Sequence, residues 1–151
     1  MEAFQAIRKP LATITARATL REAAEQMDEK AVGALLVLDD DGTAVGIVTD
    51  RDIVVRAVSR GVPFDARIDA VMSSQLVTLD AHDDLRAALR VFREHAIRRL
   101  PLMEGAEVVG MLTVDDLFVD LIADLADLVR PVTGQVIFGH PEQVHPLAPT
   151  S

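Results

Sequence analysis

Cysteine is absent from this chain, and so are tryptophan and tyrosine; five phenylalanines are its only aromatic residues. Without a thiol there is no cysteine nucleophile, no disulfide and no thiolate metal site. An aromatic fraction of 3% beside a hydrophobic fraction of 50% means a core built from Val, Leu, Ile, Ala and Met. Basic charge is scarce: Lys and Arg total 15 against 24 Asp and Glu, a net charge of −9. General binding to nucleic acid or to an anionic membrane rewards excess cations, so neither is expected. A free nucleotide needs only a local basic patch and stays open. No apolar run approaches the roughly 20 residues that a membrane span requires. The stretch Met1–Pro10 also lacks the charged-then-apolar order of a signal peptide. The expectation is a cytoplasmic protein, and its 151 residues suffice to bury a core as one domain or two small ones.

One stretch is written twice. Gly46-Ile47-Val48-Thr49-Asp50-Arg51-Asp52 is echoed by Gly110-Met111-Leu112-Thr113-Val114-Asp115-Asp116. In each, glycine leads an apolar run, and Thr-x-x-Asp then opens a segment of helical periodicity. The pattern predicts a strand running straight into a helix, with threonine at the N-cap and aspartate in the first turn. Such a junction presents free N–H groups and the positive end of a helix dipole, which suit a phosphate-bearing ligand. Plain N-capping is the alternative role for the same residues.

The rest of the chain repeats around these stretches. Residues 4–9 predict a short helix ended by Pro10, and Leu11–Thr15 a short strand. Thr19-x-x-Glu22 is a capping box opening a helix with Leu20, Ala23, Met27 and Ala31 on one face, ended by Gly33. Leu35–Leu38 reads as a buried strand, Asp39–Gly42 as a turn, Val45–Thr49 as a strand, and Asp50–Arg60 as a helix stopped by Gly61 and Pro63. Sliding by 65 positions lays Thr13-Ile14 on Thr78-Leu79, Leu20 on Leu85, Met27 on Phe92 and Leu35 on Leu100. After a one-residue deletion in the turn, Thr49 falls on Thr113 and Asp52 on Asp116. Each unit is therefore strand, helix, strand, strand, helix. A unit so small gains by packing on its twin. The expected divisions are 1–61 (first repeat with its N-terminal segment), 62–69 (linker), 70–130 (second repeat) and 131–151 (a proline-rich tail). The last helix is expected over about Val114–Val129, with the four prolines from Pro131 onward excluding further helix and Gly134–Phe138 forming one short strand. Its apolar stripe, Leu117 to Val129, outruns the corresponding helix of the first unit and predicts a homodimer.

Tandem units of this order, each with Gly-apolar-apolar-Thr-x-x-Asp, resemble a pair of CBS domains, a Bateman module, over roughly residues 5–125. The resemblance implies an α+β fold of two β-α-β-β-α repeats about a pseudo-twofold axis, with two clefts between them. It implies a regulatory, energy-sensing role without catalysis and without a required cofactor. The implied ligand is an adenine nucleotide or relative: AMP, ADP, ATP or S-adenosylmethionine. The aspartate of each motif would hold the ribose hydroxyls, two donors that match two carboxylate oxygens. Cleft one would join Thr49 and Asp52 to Thr78, Arg98, Arg99 and Pro101. Cleft two would join Thr113 and Asp116 to Thr13, Thr15 and Ala34. Arg98 and Arg99 stand where the first repeat has Gly33 and Ala34. Guanidinium binds phosphate in a bidentate, charge-assisted manner, so cleft one is expected to be the stronger nucleotide site. A CBS-fold scaffold that acts through homodimerisation and binds no ligand is the competing reading.

Other candidate motifs are weak. The carboxylates of Asp39-Asp40-Asp41-Gly42 are contiguous rather than alternating, which suits a turn better than a calcium loop. His82, His95, His140 and His145 lack the spacing of a metal site. Arg86, Arg90 and Arg93 line one solvated helix face. No nucleophile elbow, Walker loop or catalytic triad order is present.

Overall fold

Two three-stranded sheets of identical topology, each carrying helices, form the body of the chain in a computed structural model that describes residues 1–7 and 10–137, with side chains to residue 130. The first repeat holds β1 (Thr13–Thr15), α1 (Leu20–Lys30), β2 (Ala34–Leu38) and β3 (Ala44–Thr49), then a helical segment, α2, from Asp50 to Arg60. The second holds β4 (Leu79–Asp80), α3 (Leu85–His95), β5 (Arg99–Glu104), β6 (Glu107–Thr113) and α4 (Val114–Ile137). This is the expected α+β fold of two β-α-β-β-α repeats. The central strand of each sheet runs parallel to its short partner and antiparallel to the other. Even the register is shared: Ile14 faces Val37, and Leu79 faces Leu102. An irregularity follows Val37 in one sheet and Leu102 in the other.

Local chemistry explains most boundaries. Thr19 and Glu22 form the expected capping box, the Glu22 amide donating to Thr19 Oγ1 at 3.1 Å and the Thr19 amide to Glu22 Oε2 at 2.8 Å. Asp84 caps α3 through the Ala87 amide at 2.8 Å. Asp39 Oδ1 accepts from the Asp41 and Thr43 amides, which fixes the acidic stretch as a turn closed by Gly42 at φ 80°.

Four readings need correction. Gly33 does not end α1. Ala31 does, in a left-handed conformation that Ala96 repeats after α3 (φ 51° and 50°). The glycine at 33 answers a crowding need instead, described below. The short N-terminal helix is a 3-10 turn at Ala3–Ala6; Arg8 and Lys9 lie outside the described residues. The segment Asp50–Arg60 is helical but irregular, with one α-turn, a π-helical stretch at Ile53–Ala57 and a 3-10 turn at Val58–Arg60. The β-branched run Ile53-Val54-Val55 is a poor α-helix former. Finally, α4 does not stop at Arg130 but runs through Pro131 to Ile137, so no strand begins at Gly134. One proline removes a single N–H from the ladder; a long helix can absorb that loss, at about 3 kcal/mol. The other three prolines, Phe138 and the rest of the expected tail lie outside the described residues.

The chain divides into two compact units, Met1–Leu117 and Phe118–Ser151. The first contains two hydrophobic clusters, and each recruits a segment from across the repeat boundary. The cluster under β1–β3, with Leu20, Leu35 and Val48, also contains Ile68 and Val71 from the stretch before the second repeat. The cluster under β4–β6, with Leu100, Leu102 and Leu112, contains Ala3 and Ala6. Backbone bonds fasten both segments: Ile68 to Ala18 and Leu20 to Ala66, each at 2.9 Å, and Ala3 to Asp83 at 2.8 Å. In unit two, α4 from Leu121 to Arg130 is exposed on every side.

Candidate functional site

Each doubled motif builds a strand–helix junction with a reciprocal cap. The Asp52 amide donates to Thr49 Oγ1 at 3.1 Å, and Asp52 Oδ2 accepts from the Thr49 amide at 2.9 Å. Asp116 and Thr113 repeat both bonds, at 3.1 and 2.9 Å, and the Thr113 hydroxyl adds a third to Asp116 Oδ2 at 2.8 Å. The capping role is therefore present in both. It uses one carboxylate oxygen of each aspartate. Asp52 Oδ1 lies 3.7 Å from Arg56 Nε.

Two cavities open at these junctions, and each mixes both repeats. Cleft one, about 170 Å³, sets Thr49 and Asp52 against Gln75, Val77, Arg98, Arg99 and Pro101. Cleft two, about 300 Å³, sets Thr113 and Asp116 against Pro10, Ala12, Gly33 and Ala34. Many lining positions correspond under the repeat: Gln75 and Val77 match Pro10 and Ala12, and Arg98 and Arg99 match Gly33 and Ala34.

Thr78, Thr13 and Thr15 do not line either cleft. Both clefts open at the N-terminal end of the short first strand, so the residues before that strand face them. Thr13 and Thr15 border a separate open groove of about 790 Å³ between β1, α1 and the Asp39–Gly42 turn. Sequence reasoning missed Ser73 and Gln75, which lie in irregular backbone. The slide of 65 positions, carried back to Pro10, was the available signal.

Charge divides the clefts further. Among the described residues cleft one is lined by two guanidiniums and one carboxylate, cleft two by Asp50, Asp115 and Asp116 against Arg99. Arg99 thus borders both, with Nη2 3.8 Å from Asp50 Oδ1. Arg98, at the surface, reaches Asp115 Oδ1 at 3.4 Å. Gly33 makes room for the first of these pairs: a Cβ there would lie 2.6 Å from Arg99 Nη2 and 3.0 Å from Asp50 Oδ2.

Among the described residues no group of three or more His, Asp or Glu is placed to hold a metal ion, and no helix is long and apolar enough to cross a membrane.

The profile of the CBS domain matches this chain twice, at residues 3–59 and 68–122. The CBS domain-containing protein YhcV of Bacillus subtilis is 33% identical over 114 residues, 76% of this chain and 81% of that protein. Among solved structures, the Pyrobaculum aerophilum CBS domain protein PAE2072, complexed with AMP, superposes with a TM-score of 0.72 at 27% identity, over 78% of this chain and 90% of its own. Hypoxic Response Protein I with two coordinated zinc ions superposes at 0.68 and 28% identity, over 78% and 97%. Lengths among relatives vary: the chain spans only 33% of a 33.4 kDa Thermofilum pendens protein to which it is 39% identical over 100 residues.

Proposed function

This chain belongs to the CBS domain family, and from its two unlike clefts we propose that it is a non-catalytic regulatory module that binds an adenine nucleotide. Cleft one is the principal site. The observation that carries this reading is its charge: Arg98 and Arg99 stand in the cleft whose Asp52 spends only one carboxylate oxygen on its cap. In it, Asp52 Oδ1 accepts the ribose hydroxyls, and the two guanidiniums take the phosphate. Ile47, Val77 and Ile97 supply apolar surface for the base. AMP in PAE2072 supports the ligand class. At about 170 Å³ the cleft is smaller than most ligand pockets, which run from about 300 Å³. Entry of a nucleotide therefore requires the long side chains of Arg98 and Arg99 to swing toward its phosphate.

Calorimetry with AMP, ADP, ATP and S-adenosylmethionine tests the reading. Asp52→Ala is expected to cost about 1.5–3 kcal/mol of binding, the range for a charged hydrogen bond. Replacing Arg98 and Arg99 together by alanine weakens phosphorylated ligands and leaves adenosine nearly unaffected. No binding of any adenine compound at millimolar concentration rejects the proposal. The second reading, a ligand-free scaffold that works by homodimerisation, then takes its place; the exposed apolar stripe of α4 favours it.

A further inference from the structure

We propose that Arg99 is a single cation shared between the two clefts, so that an anionic nucleotide in one lowers the affinity of the other. The inference rests on the nucleotide-binding reading above and adds a coupling to it. Among the described residues Arg99 is the one arginine bordering both cavities. Its side chain is only 26% exposed, so it lies within the wall between them. On the cleft-two side it approaches Asp50 at 3.8 Å, crowded against Gly33. On the cleft-one side it stands beside Arg98, Pro101 and Asp52.

The repeat explains why, among the described residues, no second cation lines cleft two. The counterparts of Arg98 and Arg99 are Gly33 and Ala34, so these two positions of the first repeat carry no guanidinium. When Arg99 turns to a phosphate in cleft one, the described lining of cleft two keeps three carboxylates and loses its cation, with Arg98 still 3.4 Å from Asp115 at the surface. A nucleotide phosphate entering cleft two would then meet a more negative lining. One charged hydrogen bond is worth roughly ten- to a hundred-fold in affinity, whereas the exposed half of the Arg99–Asp50 pair contributes far less. The phosphate therefore wins Arg99 from Asp50. Coupling of this kind is reciprocal by thermodynamic necessity. Uncharged adenosine, which does not compete for Arg99, escapes it.

A thermodynamic cycle with AMP separates coupling from mere inequality of the sites. Calorimetry on the wild type gives the affinity of the second AMP bound. Asp52→Ala, which disables cleft one, gives the affinity of cleft two with Arg99 available; Asp52→Asn, which keeps an acceptor for the Thr49 amide, serves if the alanine variant does not fold. The expected result is that AMP binds cleft two at least about ten-fold tighter in the Asp52 variant than as the second ligand of the wild type. Adenosine should show no such gain, and Arg99→Gln should erase it for AMP. Equal AMP affinities in the two measurements, or no AMP binding to cleft two when cleft one is disabled, overturn the coupling while leaving nucleotide binding in cleft one intact. Absence of AMP binding to the wild type removes the functional reading itself, and the coupling with it.

Discussion

Gly46 and Ser73 meet so closely that there is no space for one further carbon between them. A Cβ on Gly46 would lie 2.7 Å from the Ser73 carbonyl oxygen and 2.8 Å from the Met72 sulfur. Beside them Ile47 and Ser73 exchange both backbone hydrogen bonds, each at 2.9 Å. The glycine leading the first motif is thus required by a backbone crossing at the edge of β3. Gly110, its equivalent, faces the side-chain end of Ile7 instead.

Gly46→Ala is therefore expected to destabilise the fold by about 1–3 kcal/mol, the usual cost of overpacking. Gly110→Ala should cost less, because Ile7 can rotate away whereas the Ser73 carbonyl cannot. Urea denaturation of both variants decides this; equal losses would contradict the argument.

Asp116→Ala should cost more folding stability than Asp52→Ala. Its Oδ2 accepts from both the amide and the hydroxyl of Thr113, and the residue is only 8% exposed. Stranding those donors costs about 1–3 kcal/mol, against about 1 kcal/mol for an ordinary lost cap. For AMP binding the order reverses, with Asp52→Ala the more damaging change. Thermal melts and calorimetry on the same two variants measure both orders.

His82 makes the N-terminal segment pH-sensitive. Its ring nitrogens lie 3.4 Å from Glu2 and 3.4 Å from Glu104. The hydrogen bond to Glu2 first, then that to Glu104, raises its pKa above the usual 6.5, with Asp80 adding to the attraction. A raised folded-state value means the contribution is complete below about pH 6.5. It is lost as pH rises through the raised value. The side chain is exposed, so the effect is local and falls with salt. Hydrogen exchange at the Ala3 and Phe4 amides, corrected for intrinsic rate, should show protection falling over that range. His82→Gln should flatten the dependence; an unchanged profile in that variant would rule the clasp out.

The stripe on α4 predicts self-association. From Phe118 to Val129 its large apolar residues are 46–73% exposed, far more than a helix in water retains without a partner. Sedimentation at micromolar concentration should show a dimer, and Ile122→Asp with Leu125→Asp should shift it toward monomer without altering the melting of the Met1–Leu117 unit. A wild-type mass of 16.4 kDa would refute the idea.

The repeat made the fold legible, since a motif written twice fixes two strand–helix junctions and the order of elements around them. Periodicity also placed α1, α3 and the central strands. What it could not supply was the direction of closest approach. Gly33 looked like a helix stop because glycine commonly is one, yet its small size serves a pair between Asp50, 17 residues farther on, and Arg99 in the other repeat. Thr13 and Thr15 looked like cleft residues because they sit on the right strand, while the cleft opens one step before it. Pro131 looked like an end because proline breaks helices on average, and here a single one does not.

The exchange of flanking segments between the two clusters has a consequence for synthesis. Every element of the first cluster lies between Ala12 and Met72, so that half can close as soon as those residues have left the ribosome. The second cluster needs Ala3 and Ala6 together with Leu112 and Leu117, made more than a hundred residues later. Ala3 and Ala6 must therefore wait, without their cluster, beside a finished neighbour until the later half arrives. The order of assembly is set by which segment crosses over, even though the two halves share one topology.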